Sequence, residues 1–96
     1  MKHTSDIDGR FFDELKNIAE GLGADPLHML SVMYSESGCK ANAHNPNGDA
    51  SGLIQFMPAT LQGLGWHNGH EAFRKLSPLD QLKWVAKYYA PHKGKL

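Results

Sequence analysis

At 96 residues and 41% apolar, the chain suits one domain with a modest core. Its 10 basic and 10 acidic residues balance, leaving no cationic excess to neutralise phosphates, which argues against a dedicated nucleic-acid binder. No apolar run reaches transmembrane length, no basic amphipathic stretch suits a membrane surface, and the one cysteine, Cys39, cannot close an internal disulfide.

The first eight residues are polar and lack an apolar segment, so no secretory signal peptide is expected. Phe11, Phe12, Leu15, Ile18, Ala19 and Leu22 then recur at helical spacing and predict a first helix over about residues 9–21, stopped by Gly21 and Gly23. Asp25-Pro26 is a helix start, with the aspartate as cap and the proline where its missing N–H costs nothing. This second helix is expected to end at Ser37-Gly38, with Leu27, Leu30, Met33 and Tyr34 on its apolar face and Glu36 in its last turn.

Residues 42–51 are dense in Asn, Pro, Gly and Asp and read as a polar loop. Gly52 to Phe56 is apolar with a single glutamine, and is either a short strand or an extended connector. Pro58 opens a third helix over Ala59–Gln62, closed by Gly63 and Gly65; Glu71 to Leu76 adds a helical turn or two. Ser77 caps a last helix with the stripe Leu79, Leu82, Val85, Ala86 and Tyr89, which Pro91 stops. The tail from His92 to Leu96 is expected to be loose.

Glu36 is the residue with chemical promise. A helix C-terminus carries partial negative charge, and burial against Met33 or Leu53 would add a desolvation cost; both favour a protonated carboxyl. On position alone an exposed helix-end glutamate is the better-supported reading. The segment Gly52-Leu53-Ile54-Gln55-Phe56-Met57-Pro58 downstream tips the reading toward a site.

At Glu36-Ser37 and at Gly52 to Pro58 the chain resembles the catalytic core of the soluble-lytic-transglycosylase superfamily, related to goose-type lysozyme, over roughly residues 25–90. The resemblance implies a mainly α, small lysozyme-like helical domain, with one short extended segment near the active-site cleft, filling residues 1–96. It also implies Glu36 as catalytic acid and Ser37 as the hydroxyl beside it, orienting the acid or touching sugar. By the same resemblance Gly52, Leu53 and Gln55 form the cleft floor, with Gln55 a hydrogen-bonding partner for an N-acetyl sugar. The loop and the closing segment look most like versions carried by phage tail or virion proteins, which implies virion partners and action on a host cell wall. The family's Ala-Tyr-Asn motif, whose tyrosine braces the glutamate, is not in this sequence, and the chain reads as short or truncated at its C-terminus. Tyr88 and Tyr89 are the candidates to substitute.

The implied substrate is peptidoglycan, cut between N-acetylmuramic acid and N-acetylglucosamine with no cofactor and no metal. Attack by the sugar's own C6 hydroxyl gives a 1,6-anhydro end, whereas attack by water makes the protein a lysozyme. Asp49 could position that water or could be a turn residue after Gly48. A glycan-binding or structural module without turnover is the reading from another class. Trp66 is either a sugar-stacking face or a core plug, and Trp84 is expected to pack on the 66–74 loop. His67 and His70, without a clear acidic third ligand, make a weak metal set. His44 is expected in solvated loop and His28 on a polar helix face.

Overall fold

The computed structural model describes residues 8–94. The polar start, with the expectation about a leader drawn from it, and the last two residues of the tail lie outside them. The fold is mainly helical, as expected, and no strand forms among the described residues.

Helix α1 (Gly9–Leu22) begins where the Asp8 carboxylate accepts the N–H groups of Arg10 at 3.0 Å and Phe11 at 3.2 Å. The Phe11 N–H, above all, holds the Asp8 carboxyl below its usual range, and the Arg10 guanidinium adds to it. Phe11, Leu15, Ala19 and Leu22 form one buried stripe. Gly21 continues the helix instead of stopping it; Gly23 closes it, because only Gly23 must take a left-handed φ of 73°.

Helix α2 (Pro26–Ser37) is capped by Asp25 through a 3.0 Å bond from Leu27 N–H. Its buried face matches the expected one only in part: Met33 is buried and Leu30 packs against the core as expected. Met29 and Met33 point into the core, while Leu27 and Tyr34 stand 71% and 58% exposed. Apolar residues occur all around this helix, so their spacing does not select a face. The end is as expected: Gly38 and then Cys39 adopt φ of 67° and 62°. Their N–H groups turn back onto the carbonyls of Tyr34 and Met33 at 3.0 and 3.1 Å.

Residues 42–51 form a loop as expected, but Gly52 to Phe56 is neither strand nor extended connector. Ser51 pairs with His44 on one side and Phe56 on the other in two isolated antiparallel bridges. Gly52 to Gln55 make the tight turn between Ser51 and Phe56, closed by Gln55 N–H on the Gly52 carbonyl at 3.1 Å. Gly52 has φ of 87° and Gln55 of 59°, so the apolar run bends back before it can extend.

Three helices complete the domain: α3 (Pro58–Leu64), α4 (His70–Arg74) and α5 (Pro78–Tyr89). α3 runs through Gly63 to Leu64 before Gly65 stops it, two residues past the expected end. Ser77 caps α5 through Asp80 N–H at 3.1 Å. Pro91 falls in a 3₁₀ turn, Ala90–His92. The first residues of the tail are not loose, since Gly94 N–H donates to the Leu22 carbonyl at 2.9 Å.

α1 packs on α5 and α2, and α3 packs on α5. Phe11, Met33, Leu53, Phe73, Leu82 and Val85 meet at the centre, each fully buried. Trp66 is a packing residue: its ring meets those of Phe73 and Trp84 edge-on at 5.4 and 5.5 Å, and its Nε1–H donates to the Gly69 carbonyl at 2.7 Å. Trp84 packs against that loop as expected, with Lys87 Nζ 4.6 Å from its ring centre. Cys39 packs as a small buried hydrophobe.

Candidate active site

α2 delivers Glu36 to the edge of a cleft on the side where the 42–57 segment folds back. Two hollows meet there. The larger, about 490 Å³, is lined by Glu36, Ser37, Ala43, His44, Asn45, Ala50 and Gln55. The smaller, about 240 Å³, is lined by Val32, Glu36, Ile54, Gln55, Phe56, Met57, Thr60, Tyr88 and Tyr89. Glu36 and Gln55 are common to both. The glutamate and the glutamine therefore stand at the junction of a groove that continues on either side.

Glu36 itself is exposed. The burial against Met33 or Leu53 expected for it is not there, because both of those side chains are fully buried in the core. In the free domain, water reaches the carboxylate through the open groove.

Ser37 joins the two halves of the site. Its hydroxyl lies 2.7 Å from the Leu53 carbonyl and 3.0 Å from the Met33 carbonyl, and accepts Lys40 N–H at 3.2 Å. One hydroxyl proton serves both carbonyls, and the shorter contact is the one across to Leu53. The last turn of α2 is thus fastened to the 52–55 turn directly beside the acid.

Gly52 and Leu53 hold the floor from beneath; neither lines the hollows. Leu53 sends its side chain into the core and uses its backbone on both sides, C=O toward Ser37 and N–H toward Gln81. Gln55 is held in its left-handed conformation by its own amide: Nε2–H donates to the Gly52 carbonyl at 3.0 Å and to the Ala43 carbonyl at 3.3 Å. With the NH₂ group committed, its carbonyl oxygen is the group it can offer a ligand.

Gln81 is the residue that the sequence reading missed. It is fully buried on α5 and ties three segments together. Its Oε1 accepts Leu53 N–H at 3.0 Å, and its Nε2 donates to the carbonyls of Ala41 at 2.7 Å and Phe73 at 3.0 Å. A signal existed: Pro78, Gln81, Leu82 and Val85 form one i, i+3, i+4, i+7 stripe, and a glutamine inside such a stripe needs buried partners.

Tyr88 and Tyr89 both border the smaller hollow with Glu36. Tyr88 is partly exposed and packs edge-on to Phe56 at 5.6 Å and to Tyr89 at 5.1 Å. Burial, first, pushes the Tyr89 phenol up from its usual range, with Tyr88 and the negative charge of Glu36 adding to the effect. Tyr89 is thus the tyrosine electrostatically linked to the glutamate.

Asp49 does not line either hollow. It is exposed at the outer turn of the loop, and its donor oxygen clusters with ring nitrogens of His44 and His70. The fold therefore pairs His70 with His44, not with His67, and supplies an acidic neighbour. His44 lines the larger hollow, so it is more than a solvated loop residue.

Among the described residues no helix is long and apolar enough to cross a membrane. No solved structure matches the chain at a significant level. Against known families, the Transglycosylase SLT domain matches residues 15–94. That span takes in α2 with Glu36, the bridged turn of Gly52 to Gln55, and α5 with Gln81 and both tyrosines. The chain therefore belongs to the Transglycosylase SLT family, peptidoglycan-cleaving glycosidases of lytic-transglycosylase type built on a small lysozyme-like helical domain.

Proposed function

We propose that the domain cuts the β-1,4 bond between N-acetylmuramic acid and N-acetylglucosamine and leaves 1,6-anhydromuramic ends. One observation carries this reading: among the described residues that line the two hollows, Glu36 is the only carboxylate. A mechanism with two carboxylates flanking the bond needs a second acid in the groove. A single carboxyl suffices when the substrate brings its own nucleophile.

Protonated Glu36 donates to the glycosidic oxygen, which leaves as the C4 hydroxyl of N-acetylglucosamine as its bond to the muramic C1 breaks. The carboxylate then takes the proton of the muramic C6 hydroxyl while O6 bonds to C1, and Glu36 ends protonated as it began. No water is consumed. The groove's contribution is to hold the sugar with O6 near C1, which replaces a bimolecular attack by an intramolecular one. A glycan strand lying across Glu36 would also exclude the water that now reaches it.

Ser37 keeps the acid in register with the floor through Leu53. Gln55 offers its carbonyl oxygen to an N-acetyl N–H, and Gly52 and Leu53 shape the turn that presents it. Tyr88 and Tyr89 stand where a brace for the glutamate is needed. The likeness of the loop and closing segment to phage tail proteins supports a virion-borne enzyme that meets the host wall, with other virion proteins as partners.

Mass spectrometry of muropeptides released from purified peptidoglycan tests this. Products one water lighter than lysozyme products are expected, and none from Glu36→Gln. Reducing muramic ends would instead make the domain a hydrolytic muramidase and give Asp49 a water-positioning role. Binding without release, in both proteins, would leave a glycan-binding module.

A further inference from the structure

His44, Asp49 and His70 come from two separate parts of the chain, and their ligand atoms lie within 4.8 Å of one another. The polar loop brings the first two together: Asn45 N–H donates to the Ala50 carbonyl at 3.1 Å, and Asn47 N–H to Asn45 Oδ1 at 2.9 Å, folding residue 49 back beside residue 44. His70 arrives as the first residue of α4, after Gly69 at φ 88°, whose carbonyl is anchored by Trp66. The imidazoles of His44 and His70 lie stacked, 5.9 Å between centres and 21° between planes.

We infer that these three side chains form a divalent-metal site for a borderline ion such as Zn²⁺. Two imidazoles and a carboxylate are the donors such ions prefer, whereas calcium and magnesium seek oxygen-rich shells. Tetrahedral bonds of about 2.0–2.1 Å place ligand atoms roughly 3.4 Å apart. The cluster therefore needs to contract by no more than about 1.4 Å, within the reach of rotamer adjustment in the exposed His44 and Asp49 and the half-buried His70. Three protein ligands leave the fourth position to water.

The consequence is mechanical. His44 lines the larger hollow beside Glu36, so a metal joining it to α4 pins one wall of the groove. The chemistry assigned to Glu36 does not pass through the metal, and the site stands or falls independently of that assignment.

Isothermal titration of the full chain with zinc chloride tests it directly. One equivalent is expected to bind, with affinity lowered at least ~10-fold by Asp49→Ala or by His70→Gln, and unchanged by His67→Gln or His28→Gln. Cobalt(II) should give the visible bands of a tetrahedral site in wild type and lose them in both ligand variants. Zinc should also slow amide exchange over residues 44–51. No binding, or binding that Asp49→Ala and His70→Gln leave intact, would overturn the assignment. Because the ligands are on the surface, unchanged thermal unfolding of the metal-free variants serves as the folding control.

Discussion

Gly52 and Gln81 lock against each other: a β-carbon on Gly52 would stand 2.7 Å from Oε1 of Gln81 and 2.8 Å from Cε2 of Phe73. That same oxygen accepts the Leu53 N–H. The absence of a side chain at position 52 is thus what lets α5 reach the floor of the groove.

Gly52→Ala is therefore expected to destabilise the domain by about 2–5 kcal/mol, combining strain at a positive φ with overpacking against Gln81 and Phe73. Urea unfolding at neutral pH measures it. A variant within ~0.5 kcal/mol of wild type, the range of ordinary surface changes, would mean that Gln81 can swing aside and the lock is not real.

Gln81→Leu leaves the Leu53 N–H and the carbonyls of Ala41 and Phe73 without their partner. At about 1–3 kcal/mol for each stranded buried group, a total loss above ~3 kcal/mol is expected. Gln81→Glu separates the two kinds of bond. Its carboxylate can still accept from Leu53 but faces two carbonyls it cannot donate to, so its ionised form is disfavoured in the fold. Its folded pKa is then raised, and the stability it retains is greatest at acid pH and falls as pH rises. Unfolding curves from pH 4 to 8 should show Gln81→Glu weakening relative to Gln81→Leu; parallel curves would count against the bonding assigned to Gln81.

Tyr89 should show itself in the pH dependence of stability. The folded pKa of Tyr89 is raised, chiefly by burial. The stabilisation from its neutral phenol is thus whole below the unfolded value of about 10 and is lost as pH rises through the higher folded value. Tyr89→Phe is expected to unfold at a constant offset from wild type up to about pH 9.5 and to gain on it above about pH 10. Thermal melts across that range decide it, and a constant offset of Tyr89→Phe from wild type at every pH would count against the assignment.

Cys39 should be a slow thiol. Burial pushes its ionisation up, and the side chain is 6% exposed, so both the thiolate fraction and access are low. Labelling with a disulfide reagent at pH 8 is expected to run at least ~10-fold slower in the native domain than in urea. Equal rates would show that the turn after α2 opens freely.

What was legible in the sequence was the punctuation. Asp25-Pro26 and Ser77-Pro78 start their helices, and Gly38 ends α2, because capping and a left-handed stop are decided by a few adjacent residues. The same local signals put Glu36 at a helix end, and the fold brings it to one groove with Gln55, which lies in a turn where a strand or extended connector was expected. What failed was orientation. In α2 apolar residues surround the axis, so the choice of Met29 over Leu27 for the core rests on what α1 presents to it, which no local pattern contains.

Contacts between distant segments were illegible for a related reason. His44 and His70 are far apart in the chain, and the bridges at Ser51 that bring the loop round depend on a backbone turn at Gly52 that reads as strand or extended connector. Gln81 is different, since its position in the α5 stripe was readable, but a buried glutamine does not name its partners. The expected burial of Glu36 erred because Met33 and Leu53, though near it, turn their side chains into the core and leave the carboxylate exposed.

The bonds of Gln81 to Phe73, Leu53 and Ala41 close chain separations of 8, 28 and 40 positions. Local helices form early and long closures late, since chain entropy must be spent before such contacts return anything. In a chain emerging from its N-terminus, α2 can be complete, with its glutamate in place, long before the floor beneath it has a hydrogen-bonding partner. The groove is thus set only when α5 docks, and a domain in which α5 has transiently lifted has no assembled cleft. The Leu53 amide hydrogen, released only by that lifting, is a clock for it.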